Sequence, residues 1–399
     1  MKQHLALVLV CFATSQTSRS AESRPEVAAY YFPNYHPNPQ NSARYGTNWT
    51  EWELMRAAKP RFPGHAQPKV PTWGFENESR PEVMARKISV AAEHGVTAFI
   101  FDWYWYGTNR FLERALEQGF LKATNSAQLK FALMWANHDW VELFPARADG
   151  KREPIYPTAV TRESFDRISD YVIKNYFSQP NHWKLDGKPY FSIYELMNLV
   201  KELGGIEQTR AALDRFRART KAAGFPDLHL NAVVWGLKPP PNHPTIKSAA
   251  DMARALGVDS VTSYCWLHHV YPDKFPTTDY AEVAAKSEAV WENFRRDLPV
   301  PYFPNVSMGW DSSPRTEQNV EFKSRGYPYT PVLAGNTPEE FRKALEKARD
   351  FIATQKSGPR VLTLNAWNEW TEGSYLEPDT VNGMGYLEAV RAVFPPAKR

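Results

Sequence analysis

Residues 365–379 read NAWNEWTEGSYLEPD, which puts Glu369, Glu372 and Glu377 among Trp367, Trp370 and Tyr375. Two carboxyl groups flanking one bond are the equipment for glycoside cleavage, one as acid and the other as base or nucleophile. Residues three apart on a straight strand point to opposite faces, so Glu369 and Glu372 share a cleft only if the chain turns between them. Gly373 suits such a turn. The neighbouring rings would desolvate one carboxyl group and hold its proton. A solvated acidic loop is the alternative, but such loops rarely carry this many indoles.

These residues need a scaffold. Eight β-rich apolar runs occur at 27–32, 96–101, 131–135, 189–194, 228–235, 260–266, 302–306 and 361–366. Several have the short, continuous apolar character of strands buried on both faces. Helical stretches separate them at 81–94, 109–122, 161–177, 206–223, 246–256, 278–296 and 337–354, and a last one at 382–393 closes the pattern. Gly95, Gly224 and Gly257 follow three of these helices as stops, and Thr337-Pro338 opens another. Strand–helix alternation reads as α/β, and eight units with no break in composition favour a single (β/α)8 TIM barrel with long active-site loops. No Gly-x-Gly-x-x-Gly follows the first strand, which removes the main support for a dinucleotide fold.

In such a barrel the chemistry lies at the C-terminal ends of the strands. The residues there are aromatic, acidic, imidazole or amide side chains at nearly every end. Tyr31 stands near the end of the first run and His36 follows it, with Glu51 between Trp49 and Trp52 beyond them. Asp102, Trp103 and Trp105 end the second, and Asn137 and His138 the third. Tyr194, Trp235, Tyr264 and Trp310 mark the fourth to seventh, and Trp367 and Asn368 lead into the glutamates. Flat aromatic walls with interspersed hydrogen-bonding groups suit carbohydrate. Two alternatives stay open: His36 as a packed loop residue, and Trp103 or Trp105 as caps on the barrel core. His65 reads as a structural loop residue. Adjacent His268 and His269 would point apart on a strand, so no metal site is expected.

The 399 residues are 43% hydrophobic and 23% charged, enough for a real core. A net charge of +4, dispersed along the chain, does not argue for nucleic acid. Two cysteines exclude a disulfide scaffold, and Cys265 between Tyr264 and Trp266 is expected to be buried. Residues 1–21 have a basic start, a nine-residue apolar run and a small-residue exit, the layout of a signal peptide. The remaining residues, 22–399, are expected to form one secreted or periplasmic catalytic domain, monomeric and not inserted in a membrane.

The chain resembles the WbsX-like proteins, often labelled glycosyltransferases, and more distantly glycoside hydrolase family 99, the endo-α-mannosidases and α-mannanases. The resemblance rests on YYFPNYH at 30–36, NWTEW at 48–52, KPRFPGHAQPKVP at 59–71, MWANHDW at 134–140, GKPYFSIYE at 187–195 and, most specifically, 365–379. It implies a (β/α)8 fold and a retaining mechanism through a 1,2-anhydro sugar, with no cofactor. Glu369 would take the proton from the sugar 2-hydroxyl. Glu372 would protonate the leaving oxygen and later activate water. The 2-hydroxyl and leaving group must then be trans, which fits α-linked manno-configured poly- or oligosaccharides, of mannose or rhamnose type. Glu377 would have a binding or structural role. Departures fall at FDWYW, residues 101–105, where the family carries Tyr-x-Tyr-Trp, and at WANHDW, residues 135–140, where it carries Trp-Ala-Asn-Glu-Asn-Trp. There Asp102 and Asp139 could meet a cation or a sugar hydroxyl. Against the hydrolase stand a glycosyltransferase, for which no phosphate-cradling loop is found, and a non-catalytic carbohydrate-binding protein, which would not need both glutamates.

Overall fold

The computed structural model describes residues 24–397, so the expected signal peptide lies outside the described residues. Eight parallel strands close a barrel. They are β1 (Glu26–Tyr31), β2 (Ala98–Tyr106), β3 (Lys130–Trp135), β4 (Lys188–Ile193), β5 (His229–Val233), β6 (Ser260–Thr262), β7 (Tyr302–Phe303 and Asn305–Ser307) and β8 (Val361–Asn365). Each pairs with its neighbours in sequence, and β1 pairs with β8 through Val27↔Leu362 and Ala28↔Thr363. Pro304 splits β7 because it has no N–H to donate. The first half pairs with β6 and the second with β8, so the break is also the place where the barrel closes.

Alternation along the strands sorts the side chains. Phe191 meets Phe216 of an outer helix, whereas its neighbour Ser192 bonds Asn231 at 2.8 Å inside the barrel. Asn231 continues to Ser260 at 2.9 Å, and Thr262 meets Thr363 at 3.0 Å. The barrel interior is therefore a set of closed polar contacts wrapped by an apolar strand–helix layer. The main covering helices are α1 (Pro81–Glu93), α2 (Arg162–Val172), α3 (Ile206–Ala222), α4 (Ala249–Leu256), α5 (Tyr280–Asp297), α6 (Pro338–Ala353) and α7 (Gly385–Val393). Their starts follow from capping: Thr161, Ser248, Asp279 and Thr337 accept first-turn N–H groups of α2, α4, α5 and α6. Among the described residues no helix is long and apolar enough to cross a membrane.

The expected helix over 109–122 is corrected. Strand β2 runs on to Tyr106, turns at Gly107 (φ 60°), and Asn109–Phe111 pairs back antiparallel on it. Only short turns follow, a π turn at Ala115–Gly119 and a 3-10 turn at Phe120–Lys122. Gly119 is required there, since a Cβ would lie 2.3 Å from the Glu78 carbonyl oxygen. The runs at 228–235 and 260–266 likewise end early, passing into single turns at Val234–Gly236 and Trp266–His268.

Candidate active site

Beyond β8 the chain makes a tight hairpin. Asn368–Glu369 pairs antiparallel with Ser374–Tyr375, and the turn Trp370–Glu372 closes through Gly373 at φ 64°. A side chain at Gly373 would be strained and would also collide, since its Cβ would lie 2.6 Å from that of Asp311. Asp311 in turn donates its N–H to the Glu372 carbonyl at 2.5 Å and accepts from His65 at 2.9 Å and Gln67 at 2.7 Å. His65 thus has a loop-fixing position behind the hairpin. This turn carries both glutamates to one side.

They converge on Arg315, from the loop after β7. Its Nη2 lies 2.6 Å from Glu369 Oε1 and its Nη1 lies 2.5 Å from Glu372 Oε1. Its Nε donates to Glu51 Oε1 at 2.8 Å. Tyr327 donates to Glu372 Oε1 at 2.7 Å and also meets the guanidinium. Glu51 is fixed further by Thr371 Oγ1 at 2.5 Å and by Asn34 Nδ2 at 2.8 Å. One buried guanidinium therefore serves three buried carboxyl groups. Burial pushes Glu369 well above the usual carboxylate range and raises Glu372 too. Arg315 opposes both shifts, and the Tyr327 hydroxyl further opposes the one on Glu372.

Above the pair opens a cleft of about 550 Å³. Glu369, Glu372, Asp102, His138, Tyr194, Trp235, Tyr264 and Trp310, all expected from sequence, line it. Glu51 lies behind Arg315, and Asn137 sits at the third strand end with both amide atoms bonded to the Glu195 backbone. The remaining candidates stand elsewhere. Tyr31, Trp103 and Trp105 have the wrong strand parity: Tyr31 packs on Phe101, and Trp103 bonds Tyr176 on the helix side. Asp102 and Tyr104 hold the inward positions instead. Trp367 packs on Phe99, and Asn368 bonds the backbone of Phe32 through both amide atoms, locking β1 to β8. His36 is buried away from the cleft, and burial lowers it to about 3, so it stays neutral. Glu377 joins a buried cluster with Lys87, at 2.5 Å, and Trp370, at 2.8 Å. Cys265 is buried, as expected.

Sequence reasoning missed Arg315, Tyr327, Tyr104, Phe32 and Glu195. Arg315 and Tyr327 lie on the long loop after β7, where no periodicity marks a residue. The other three are at strand ends already scanned, and parity would have found Tyr104.

The chain matches the family described as glycosyltransferase WbsX over residues 27–390. It is 30% identical over 381 residues to the uncharacterized protein WxcX of Xanthomonas campestris pv. campestris strain B100, across 94% of this chain and 50% of that one. The chain thus spans about half the length of the curated relatives it matches. A structure of the GH99 endo-alpha-mannosidase from Bacteroides thetaiotaomicron, in complex with bis-tris propane, superposes with a TM-score of 0.56 at 14% identity, covering 92% of this chain and 95% of that one. A glycoside hydrolase-like protein superposes at 0.57 with 16% identity, covering 98% and 97%. These likenesses carry the barrel fold. The match over nearly the whole described chain carries the kinship: the protein belongs to the glycosyltransferase WbsX family.

Proposed function

We propose that this protein is a retaining glycoside hydrolase acting on α-linked manno-configured poly- or oligosaccharides, of mannose or rhamnose type. The observation that carries the reading is the convergence of Glu369 and Glu372, both buried, on one cleft at the C-terminal end of the barrel. Glu369 removes the proton of the sugar 2-hydroxyl as that oxygen attacks the anomeric carbon. The bond to the leaving oxygen breaks, and Glu372 gives that oxygen its proton. Water then opens the 1,2-anhydro ring at the anomeric carbon. Glu372 takes the water proton, and Glu369 returns a proton to the 2-oxygen. Two inversions give retention. We propose further that residues 1–21 direct export, which amino-terminal sequencing of the protein recovered outside the cytoplasm would test.

The test is turnover. The protein is incubated with α-mannans, rhamnose-containing polysaccharides and their oligosaccharides, and new reducing ends and anomeric protons are read by NMR. Release of a retained α-product is expected, reduced about 10²–10⁴-fold or more in Glu372→Gln. Absence of cleavage across that panel, with binding intact in the variant, overturns the reading.

Tyr327 gives a second prediction. Its hydroxyl stabilises ionised Glu372, so Tyr327→Phe raises the tendency of Glu372 to hold its proton. Catalysis requires that proton, and the alkaline limb of the kcat/KM profile is its loss. The limb is therefore expected to move to higher pH in Tyr327→Phe. An unchanged or lowered limb would assign the acid to another group.

A further inference from the structure

Among the described residues, Asp102 is the one carboxyl group in the cleft lining with a buried oxygen that has neither a cation nor a hydrogen-bond partner. It is 4% exposed, on the inward face of β2. Its Oδ2 accepts from the Tyr264 hydroxyl at 3.0 Å. Its Oδ1 is buried and has no partner, although the residue lines the cleft. The other acids of the lining differ: Glu369 and Glu372 hold Arg315, Glu195 accepts from the Trp235 indole at 3.1 Å, and Asp139 accepts the Thr158 N–H at 2.6 Å. A buried polar oxygen left unpaired in the native protein calls for an explanation, and in a cleft the simplest is a ligand atom.

We infer that Asp102 is a specificity residue that meets one hydroxyl of the bound sugar through Oδ1, acting as an uncharged carboxyl group. The charge state follows from the surroundings. Tyr30, Tyr104, Tyr194 and Tyr264 face it and none is a cation. Glu372 adds repulsion, and the Arg315 guanidinium is already engaged by three carboxyl groups. Burial raises its pKa well above the usual range, and the Tyr264 bond only partly offsets this. With Oδ2 accepting from Tyr264, the proton resides on Oδ1 and points to an acceptor. A sugar hydroxyl accepts it, whereas an ammonium group has no lone pair to offer. A hard cation would need several oxygen ligands, and here one side chain offers one atom. The inference takes its class of ligand from the glycosidase reading and concerns which residue reads that ligand.

An amide reproduces this arrangement, with its oxygen toward Tyr264 and its NH2 toward the sugar. Asp102→Asn is therefore expected to keep kcat/KM within about threefold of the parent. Asp102→Leu, or Asp102→Ala where leucine prevents folding, is expected to lose about 10–100-fold, with the same loss in affinity for manno- and rhamno-oligosaccharides measured by calorimetry in a Glu372→Gln background. The infrared difference between parent and Asp102→Asn at neutral pH is expected to show the carbonyl stretch of a protonated carboxyl group. A loss in Asp102→Asn as large as in Asp102→Leu overturns the inference, because charge would then be required. So does parental affinity in Asp102→Leu and Asp102→Ala, or a carboxylate band in the infrared difference. The calorimetric and infrared arms need no turnover. Binding that follows this pattern without cleavage would retain the inference and discard the hydrolase. Cleavage with a carboxylate band would do the reverse. Binding of none of the oligosaccharides by any variant would discard both.

Discussion

Arg315→Met is expected to lower turnover about 10³-fold and to make the fold depend on pH. The catalytic loss follows from position. Arg315 fixes Glu369 and Glu372 from one planar group, at 2.6 Å and 2.5 Å, and without it Glu369 loses its side-chain partner and Glu372 keeps only Tyr327 among the described residues. Their protonation changes as well. Arg315 is the positive charge that opposes the burial shift on both, so its removal drives both further upward. The cleft then lacks the ionised base that the first step needs. The stability effect has a definite sign. Carboxyl groups whose folded pKa exceeds the unfolded value bind more protons in the native state, so stability falls as pH rises from the unfolded value toward the folded one. The variant should lose about 3–5 kcal/mol at neutral pH, where the native carboxyl groups hold protons that the unfolded chain releases, and less at about pH 5. Thermal unfolding at the two pH values measures this, and turnover at about pH 5 separates the two roles. If activity returned together with stability, Arg315 would be only a structural counter-ion. Arg315→Lys is expected to restore stability better than rate, since an ammonium cannot present a planar fork.

The residues that make this site differ in how legible they were. Glu369, Glu372 and the turn at Gly373 could be read directly, because strand parity demanded a turn and a glycine stood where one was required. All eight barrel strands could be read as apolar runs, since strands buried on both faces leave that signature. Their ends could not. The run at 96–101 gave no reason to continue β2 to Tyr106, because FDWYWY mixes acid and aromatic residues. Ending the strand early hid the parity that turns Asp102 and Tyr104 inward and Trp103 toward Tyr176. Arg315 was hidden for another reason. It lies 54 positions before Glu369, in a loop whose path is set by tertiary contacts and not by any local pattern. The resemblance to family 99 could not supply it either, since it was carried on motifs at other strand ends. Glu377, for which a binding or a structural role stood open, holds a structural position: close in sequence to the pair, it bonds the Trp370 indole and does not line the cleft.

Glu377 leads to the second large effect, at a site with no part in the chemistry. Lys87 of α1 is 2% exposed and lies 2.5 Å from both Glu78 and Glu377. Its Nζ is also 3.4 Å from the Tyr31 hydroxyl, and Asn368 reaches Glu78 at 3.1 Å. Burial pushes Glu78 up to about 7, with Glu377 adding to the shift and Lys87 opposing it. Burial alone would lower Lys87, but the two glutamates outweigh it and hold the ammonium charged. Lys87→Met removes the only cation of this cluster among the described residues, leaving two acids facing one another. Breaking such a buried group is expected to cost about 3–5 kcal/mol at about pH 7.5. The loss should shrink toward about pH 5, where Glu78, already pushed up by burial, takes up a proton, by the same sign argument as for Arg315→Met. Chemical denaturation at the two pH values reads the difference. Activity distinguishes the two variants. Among the described residues the Lys87 cluster is hydrogen-bonded to the hairpin through Asn368 and Trp370, whereas Arg315 touches both glutamates themselves. Below its unfolding temperature, Lys87→Met should retain turnover within about tenfold of the parent, against about 10³-fold lost in Arg315→Met. Equal losses of turnover would mean that the hairpin is positioned from behind by Lys87 as much as by Arg315, and the division between a supporting cluster and a reacting one would have to be abandoned.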